Sequence, residues 1–320
     1  MAVGGILGKK EARGVELRVL QYFLAVAREQ SISGAAASLH LSQPTLSTQL
    51  KALEEELGKQ LLIRGTKGSR KVLLTEEGML LRKRAEEILE LVQMTQREIS
   101  LSDEVVAGDV YIGAGESDMI RLFARAAKQL QAKYPDIHYH VRSGNAAFVQ
   151  DYLDRGLIDF GVVYGPVDTS IYSSVKVPVH DTWGVLMRKD APLADKEYIQ
   201  PQDLWDKLLI VSAQKADNWS LTKWFERDYA KLNIVATYNL VFNASLMVEE
   251  GLGYALCFDQ LINVSGDSPL CFRPLSPTMR SEASIIWKRY QVFSKASECF
   301  LKQLKGLLTD QETENSPETV

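Results

Sequence analysis

The sequence predicts an all-α head closed by a short β-hairpin, one long connecting helix, and an α/β body in two parts. Three observations carry this. Apolar residues in the first hundred positions recur at three- and four-residue steps, that period gives way from Gly108 to alternating strand and helix patterns, and the charge divides with the pattern. The first 74 residues hold 11 Lys and Arg against 6 Asp and Glu, whereas the rest of the chain holds 26 against 35. A basic head on an acidic body is expected where one end meets a polyanion. At 320 residues the chain exceeds the usual size of one core, and 46% hydrophobic with 24% charged residues excludes collagen-like, low-complexity and wholly disordered chains.

Residues 1–14 read as a flexible N-terminal extension and 15–74 as the head. Leu17, Leu20, Phe23, Leu24 and Ala27 place one buried face on a first helix. Ser31 and Ser33 can cap a second, short helix through Leu39, in which Ala35, Ala36 and Ala37 offer a surface small enough for close helix contact. Ser42 is the expected N-cap of a third helix, with Pro44 in its first turn, Leu46, Leu50, Leu53 and Leu57 along its buried face, and Gly58 at its end. A small-residue helix, a tight turn and a capped helix with a polar outer face make a helix-turn-helix, whose second helix reads the DNA major groove with its N-terminal residues. Gln43, Thr45, Ser47, Thr48 and Gln49 are hydrogen-bonding groups of suitable reach, and Gln can pair with adenine through two bonds. Between the apolar segments Leu61 to Ile63 and Val72 to Leu74, the run from Arg64 to Lys71 is a glycine-bearing basic turn. It reads as a wing whose Arg64, Lys67, Arg70 and Lys71 suit phosphates or the minor groove.

These segments resemble the LysR-type transcriptional regulators. The resemblance runs through Leu17 to Ala27, Ser31 to Leu39, Leu41 to Leu50, Leu53 to Gly58 and Leu74 to Gly78, without gaps up to the wing. It implies that Gln43, Pro44, Ser47 and Thr48 face DNA and that Arg64 and Lys67 are basic wing positions. One departure stands out: position 48 is most often Arg in the family, and Thr is shorter and uncharged.

Thr75 to about Ser102 reads as one long helix with Thr75 as its N-cap and a seam at Leu81, Ala85, Ile88, Val92, Thr95 and Ile99. Such a stripe can pack on its own domain. The resemblance implies instead a linker helix, over 75–102, that pairs two subunits into a homodimer or homotetramer, with double-stranded DNA and RNA polymerase as macromolecular partners. The body, 103–308, reads as βαβαβ over Asp109 to Ala114, Ile120 to Lys133, Ile137 to Val141, Ala146 to Arg155 and Ile158 to Val163. Further strands are expected at Trp183 to Met187, Leu208 to Val211, Ile234 to Val241 and Tyr254 to Phe258, with helices near Leu221 to Ala230 and Ala244 to Glu249. By resemblance this region is a periplasmic-binding-protein-like effector domain of two α/β subdomains. Subdomain I covers about 108–166 and 267–308, subdomain II about 167–266, with crossings near Pro166-Val167 and Gly266-Asp267. The polar, acidic tail 309–320 reads as disordered.

Open α/β sheets bind ligands at the carboxyl ends of strands. Glu116, Ser117 and Asp118 follow the first body strand; the resemblance implies that Ser117 sits where the family often places a hydroxyl on an effector carboxylate, and adds Asn145 after the second strand and, from the facing subdomain, Ser212 and Gln214 as effector contacts. Ser117 and Asp118 can equally cap a helix. Glu116 and Asp118 beside Ser117 leave two outcomes: the ligand carries a cation or hydrogen-bond donor that these carboxylates receive, which is favoured, or both carboxylates point away and Ser117 and Asn145 alone face an acid. No G-x-S-x-G elbow, P-loop or H-E-x-x-H is present, so catalysis is not expected. Cys257, Cys271 and Cys299 lack disulfide or zinc spacing, and neither cofactor nor metal is expected; redox sensing would need a cationic setting for a thiolate, which these cysteines lack in sequence. Stretches such as Asn233 to Val248 fall short of the roughly 18 apolar residues of a membrane helix, and Ala2 to Gly8 precedes Lys9-Lys10 in the reverse order of a secretory signal. A cytoplasmic location follows as the expectation, which also argues against an exported solute-binding protein.

Overall fold

The computed structural model describes residues 14–65, 71–100, 106–213 and 221–315, in two units that divide at Ser100. In the first, α1 (Leu17–Glu29), α2 (Ile32–Ser38) and α3 (Gln43–Leu57) enclose a core of Phe23, Val26, Ala35, Ala36, Leu46, Leu50 and Leu53. Each boundary has a local cause. Ser31 Oγ accepts from Gly34 N–H at 3.1 Å to start α2, and Ser42 Oγ accepts from Thr45 N–H at 3.2 Å to start α3. Gly58, at φ 62°, ends α3 in the left-handed conformation that glycine adopts without strain. Leu57, expected on the buried face, is 40% exposed because the helix terminates beside it.

The wing strands β1 (Leu62–Arg64) and β2 (Val72–Leu74) pair antiparallel, Leu62 opposite Leu74. Glu54 of α3 ties this hairpin to the helices by accepting from the N–H groups of Leu61 and Leu62 at 2.8 and 3.0 Å. Thr75 Oγ1 then accepts from Gly78 N–H at 3.0 Å and starts α4 (Glu76–Ser100), which packs on α1. A Cβ on Gly78 would lie 2.2 Å from the Leu61 carbonyl oxygen, so only glycine lets α4 approach the wing this closely.

The second unit begins with β3 (Gly108–Ala114), α5 (Ile120–Gln131), β4 (Ile137–Ser143), α6 (Ala146–Asp154) and β5 (Phe160–Tyr164). β3 lies between β4 and β5, parallel to both, and its residues from Val110 to Ala114 are all buried, as a central parallel strand covered on both faces requires. Next comes β6 (Tyr172–Arg188), whose 17 residues serve both halves of the body. Its first part pairs with β11 (Arg280–Lys288), which also pairs with β5; its last part pairs with β9 (Tyr254–Phe258) and β10 (Leu270–Pro274). The second half-sheet continues from β9 to β7 (Leu209–Ser212) and β8 (Ile234–Tyr238). A short α7 (Pro201–Leu204) precedes β7, α8 (Val241–Glu249) follows β8, and α9 (Lys295–Asn315) returns to cover the first half-sheet. The first core centres on Ile112, Phe123, Phe160, Ile285 and Phe300; the second on Trp183, Leu209, Phe225 and Leu256, with Val241, Ala244 and Val248 of α8 packed on the other face of its sheet.

Several expectations need correction. The chain crosses between subdomains within β6, where pairing changes from β11 at Thr182 to β9 at Trp183, not near Pro166-Val167. It returns between Pro274 and Arg280, because β10 still pairs with the second half, not near Gly266-Asp267. The strand expected through Val241 stops at Tyr238; Val241, Ala244, Ser245 and Val248 are buried at helical spacing and belong to α8. The helix expected through Ala230 stops at Phe225, where Glu226 takes φ 51°, and Asp228 caps a separate 3-10 turn at Tyr229–Lys231. The tail expected from residue 309 is helical through Asn315, and residues 316–320 and 1–13 lie outside the described residues. No helix among the described residues is long and apolar enough to cross a membrane.

Candidate nucleic-acid interface and ligand cleft

Capping decides which side chains of α3 face outward. With Leu46, Leu50 and Leu53 buried, Gln43, Pro44, Thr45, Thr48 and Gln49 are exposed and Ser47 is half-buried. Two of these hydroxyls have partners within the helix: Thr45 Oγ1 lies 2.7 Å from Ser42 Oγ, and Thr48 Oγ1 donates to the Pro44 carbonyl at 2.9 Å. Gln43 and Gln49 keep the longest unbranched reach on this face. Arg64 is half-buried, 3.4 Å from Glu54, so its guanidinium is held against α3. Lys71 is exposed at the start of β2, while Lys67 and Arg70 lie outside the described residues.

The α4 seam divides. Leu81 is half-buried against the head core, and Ala85 is fully buried within a single chain. Ile88 and Ile99 are 43% and 79% exposed, with Val92 half-buried between them.

In the body, the loop after β3 meets the end of β4 and the start of α8 around a cleft of about 240 Å³. Gly115, Glu116, Ser117, Ile120, Val141 and Ser143 line it from the first subdomain; Val241 and Leu261 line it from the second. A smaller hollow of about 30 Å³, bounded by Gly144, Val162, Tyr164 and Phe258, shares Gly115 and Glu116 with the first. Glu116 spans the two subdomains: Leu240 offers α8 no side-chain cap, and the Glu116 carboxylate accepts from Val241 N–H in its place. A carboxylate at a helix N-terminus satisfies an otherwise orphan donor and meets the positive end of the helix dipole. Ser117 is 5% exposed and lines the larger hollow.

Among the described residues, the other expected contacts do not line either hollow. Asp118 pairs with Arg121 at 2.5 Å, and α5 starts at Ile120 with Met119 at its N-cap and no side-chain cap, so neither Asp118 nor Ser117 caps it. Asn145 Oδ1 accepts from Phe148 N–H at 2.9 Å as the N-cap of α6 and does not line the cleft. Ser212 is buried at the end of β7, and Gln214 is outside the described residues. Sequence reasoning missed Ser143, Tyr164, Asp181 and the Val241 N–H. Asp181, on β6, accepts from Tyr164 Oη and, at 3.3 Å, from Asp118 N–H. Burial raises its pKa above the ordinary carboxylate value, opposed by these two bonds. A lone aspartate in the strand pattern at Trp183 was the available signal. Burial also pushes the Cys257 thiol up to about 12 and raises Cys271.

A basic three-helix head with an outward-facing capped helix, carried on one chain with an α/β body that encloses a small cleft, defines a DNA-binding regulator with its own ligand-binding domain. Relatives agree with this class. Residues 103–309 match the LysR substrate binding domain, and residues 17–79 match the bacterial regulatory helix-turn-helix protein of the lysR family. The HTH-type transcriptional regulator YfeR of Shigella flexneri is 25% identical over 283 residues, 88% of this chain and 91% of its own. The hydrogen peroxide-inducible genes activator of Pectobacterium carotovorum is 30% identical over 199 residues, 62% of this chain and 64% of its own. Among solved structures, full-length CbnR complexed with its target DNA has a TM-score of 0.71 at 19% identity, covering 91% of this chain and 99% of CbnR, a likeness of fold. The chain belongs to the LysR family of bacterial transcriptional regulators. It is a DNA-binding regulator with an effector-binding domain and not an enzyme.

Proposed function

We propose that the protein controls transcription in the cytoplasm as a homodimer or a dimer of dimers, with a small-molecule effector in the body cleft altering its action at an operator and on RNA polymerase. The carrying observation is the cleft itself, where Glu116 of one subdomain holds the first N–H of a helix in the other. A ligand that meets Glu116 acts on both subdomains at once, and a binding event that favours one arrangement shifts the population toward it.

In this reading Gln43, with Pro44, Thr45, Ser47 and Thr48 around it, faces base edges, while Arg64, Lys67, Arg70 and Lys71 hold the backbone. Gln43→Ala is expected to lose roughly 1–3 kcal/mol at the preferred site only, whereas Lys67→Ala with Arg70→Ala weakens all sequences and flattens the salt dependence. Fluorescence anisotropy with a selected operator and with random duplex separates the two. Equal losses on both duplexes for Gln43→Ala would remove it from base reading.

The outer part of the α4 seam, exposed Ile88 and Ile99 with half-buried Val92, is the subunit contact in this reading. Ile88→Glu with Val92→Glu places charge where it would be desolvated without a partner, so sedimentation is expected to show monomers. Unchanged sedimentation would mean that the stripe does not hold subunits together. Peroxide sensing has less support, because the thiolate is the reactive form and burial raises the pKa of both Cys257 and Cys271.

A further inference from the structure

We propose that the cleft is selective for an organic cation, an amine with a compact apolar body, whose charged head bonds Glu116 and Ser117. The proposal rests on the cleft being the effector site and adds the charge of the ligand. Glu116 sets the charge the cleft prefers, and Ser117 supplies a second polar contact. Glu116 lines both hollows, and no Lys, Arg or His stands among the described residues that line either one. An anion there would be desolvated beside a carboxylate with no countercharge in the described lining. Ser117 lines the larger hollow beside Glu116, and its hydroxyl can accept from a donor bound there.

The stereochemistry fits an ammonium group. A carboxylate offers about four lone-pair positions, and the Val241 N–H takes one of those on Glu116, so a cation can join without breaking the bond across the subdomains. Three ammonium hydrogens can divide between Glu116 and Ser117 Oγ, with one left for water. Beyond the head, Ile120, Val141 and Leu261 supply apolar walls for a hydrocarbon body. Bound this way, the cation neutralises the charge of the group that caps α8. It therefore alters the link between the subdomains directly, and needs no contact with the second subdomain's polar groups to be felt there.

Benzylamine and benzoate are similar in size and opposite in charge, and titrating each into the full chain while following thermal unfolding tests the proposal. Benzylamine is expected to raise the midpoint saturably and benzoate to leave it unchanged. Glu116→Gln, which keeps an acceptor for the Val241 N–H, is expected to bind benzylamine about tenfold more weakly, the loss of one charge-assisted hydrogen bond. Ser143→Trp, which fills the cleft from the exposed end of β4, is expected to abolish the shift. Benzoate stabilisation that Ser143→Trp removes would overturn the charge assignment and leave the cleft as the effector site. A benzylamine shift that survives both substitutions would locate binding elsewhere and defeat both readings. No shift with benzylamine at millimolar concentration overturns the proposal for the cation.

Discussion

Replacing Phe300 with alanine is expected to destabilise the body by about 3–5 kcal/mol, the range for emptying a buried aromatic site. Phe300 is 0% exposed and lies on α9, facing the first half-sheet. Its ring centroid is 5.9, 5.4 and 5.7 Å from those of Phe123, Tyr139 and Phe160, so one side chain joins α5, β4 and β5. Close-packed neighbours on that many elements cannot all move inward to fill the void, which places the loss toward the upper end. Denaturant unfolding of wild type and variant gives the number. Hydrogen exchange locates it: protection should fall in β3, β4 and β5, and should persist in β7 and β9, which belong to the second core. Uniform loss across both cores would show that they unfold as one.

Gly78→Ala tests the sign of a common rule. In the exposed middle of a helix this change stabilises by about 1 kcal/mol, because glycine gives up more backbone freedom than alanine. Here Gly78 is buried in the first turn of α4, and the added methyl group would lie 2.2 Å from the Leu61 carbonyl oxygen and 3.3 Å from Leu74 Cβ. Both contacts belong to the wing strands or the residue beside them, and a backbone atom cannot rotate aside. The helix or the hairpin has to shift, and overpacking of this kind costs roughly 1–3 kcal/mol. A displaced hairpin also moves Arg64 and Lys71, so DNA affinity should fall with stability. A more stable variant with unchanged DNA binding would contradict the close approach of α4 to the wing.

The head was legible because its boundaries are set by neighbours in sequence. Ser42 and Gly58 bound α3 by a cap and a left-handed residue, and both signals lie at the ends they govern. β9 was equally plain, an apolar run from Tyr254 to Phe258 just after Gly251-Leu252-Gly253. The first part of β6 was not, since Ser173, Ser174, Lys176 and His180 interrupt any apolar pattern and its pairing with β11 spans about a hundred positions. Val241 was misread because a short apolar run suits a buried strand and a buried helix alike. At the cleft, Glu116 and Ser117 could be named from their place after a strand. The partner of Glu116 could not: the Val241 N–H is a backbone group 125 positions away, at a helix start that carries no capping side chain as a marker.

The route of β6, β11 and α9 sets an order for biogenesis. As the chain leaves the ribosome, β3, β4 and β5 emerge early, yet the strand that pairs with β5 and the helix that shields Phe160 come from residues 280–315. The second core, held between Trp183 and Leu275, is complete before those residues are made. The half that is synthesised first is therefore the half that closes last. Until then it carries an open strand edge and an uncovered aromatic cluster, surfaces that holdase chaperones protect from association with other nascent chains.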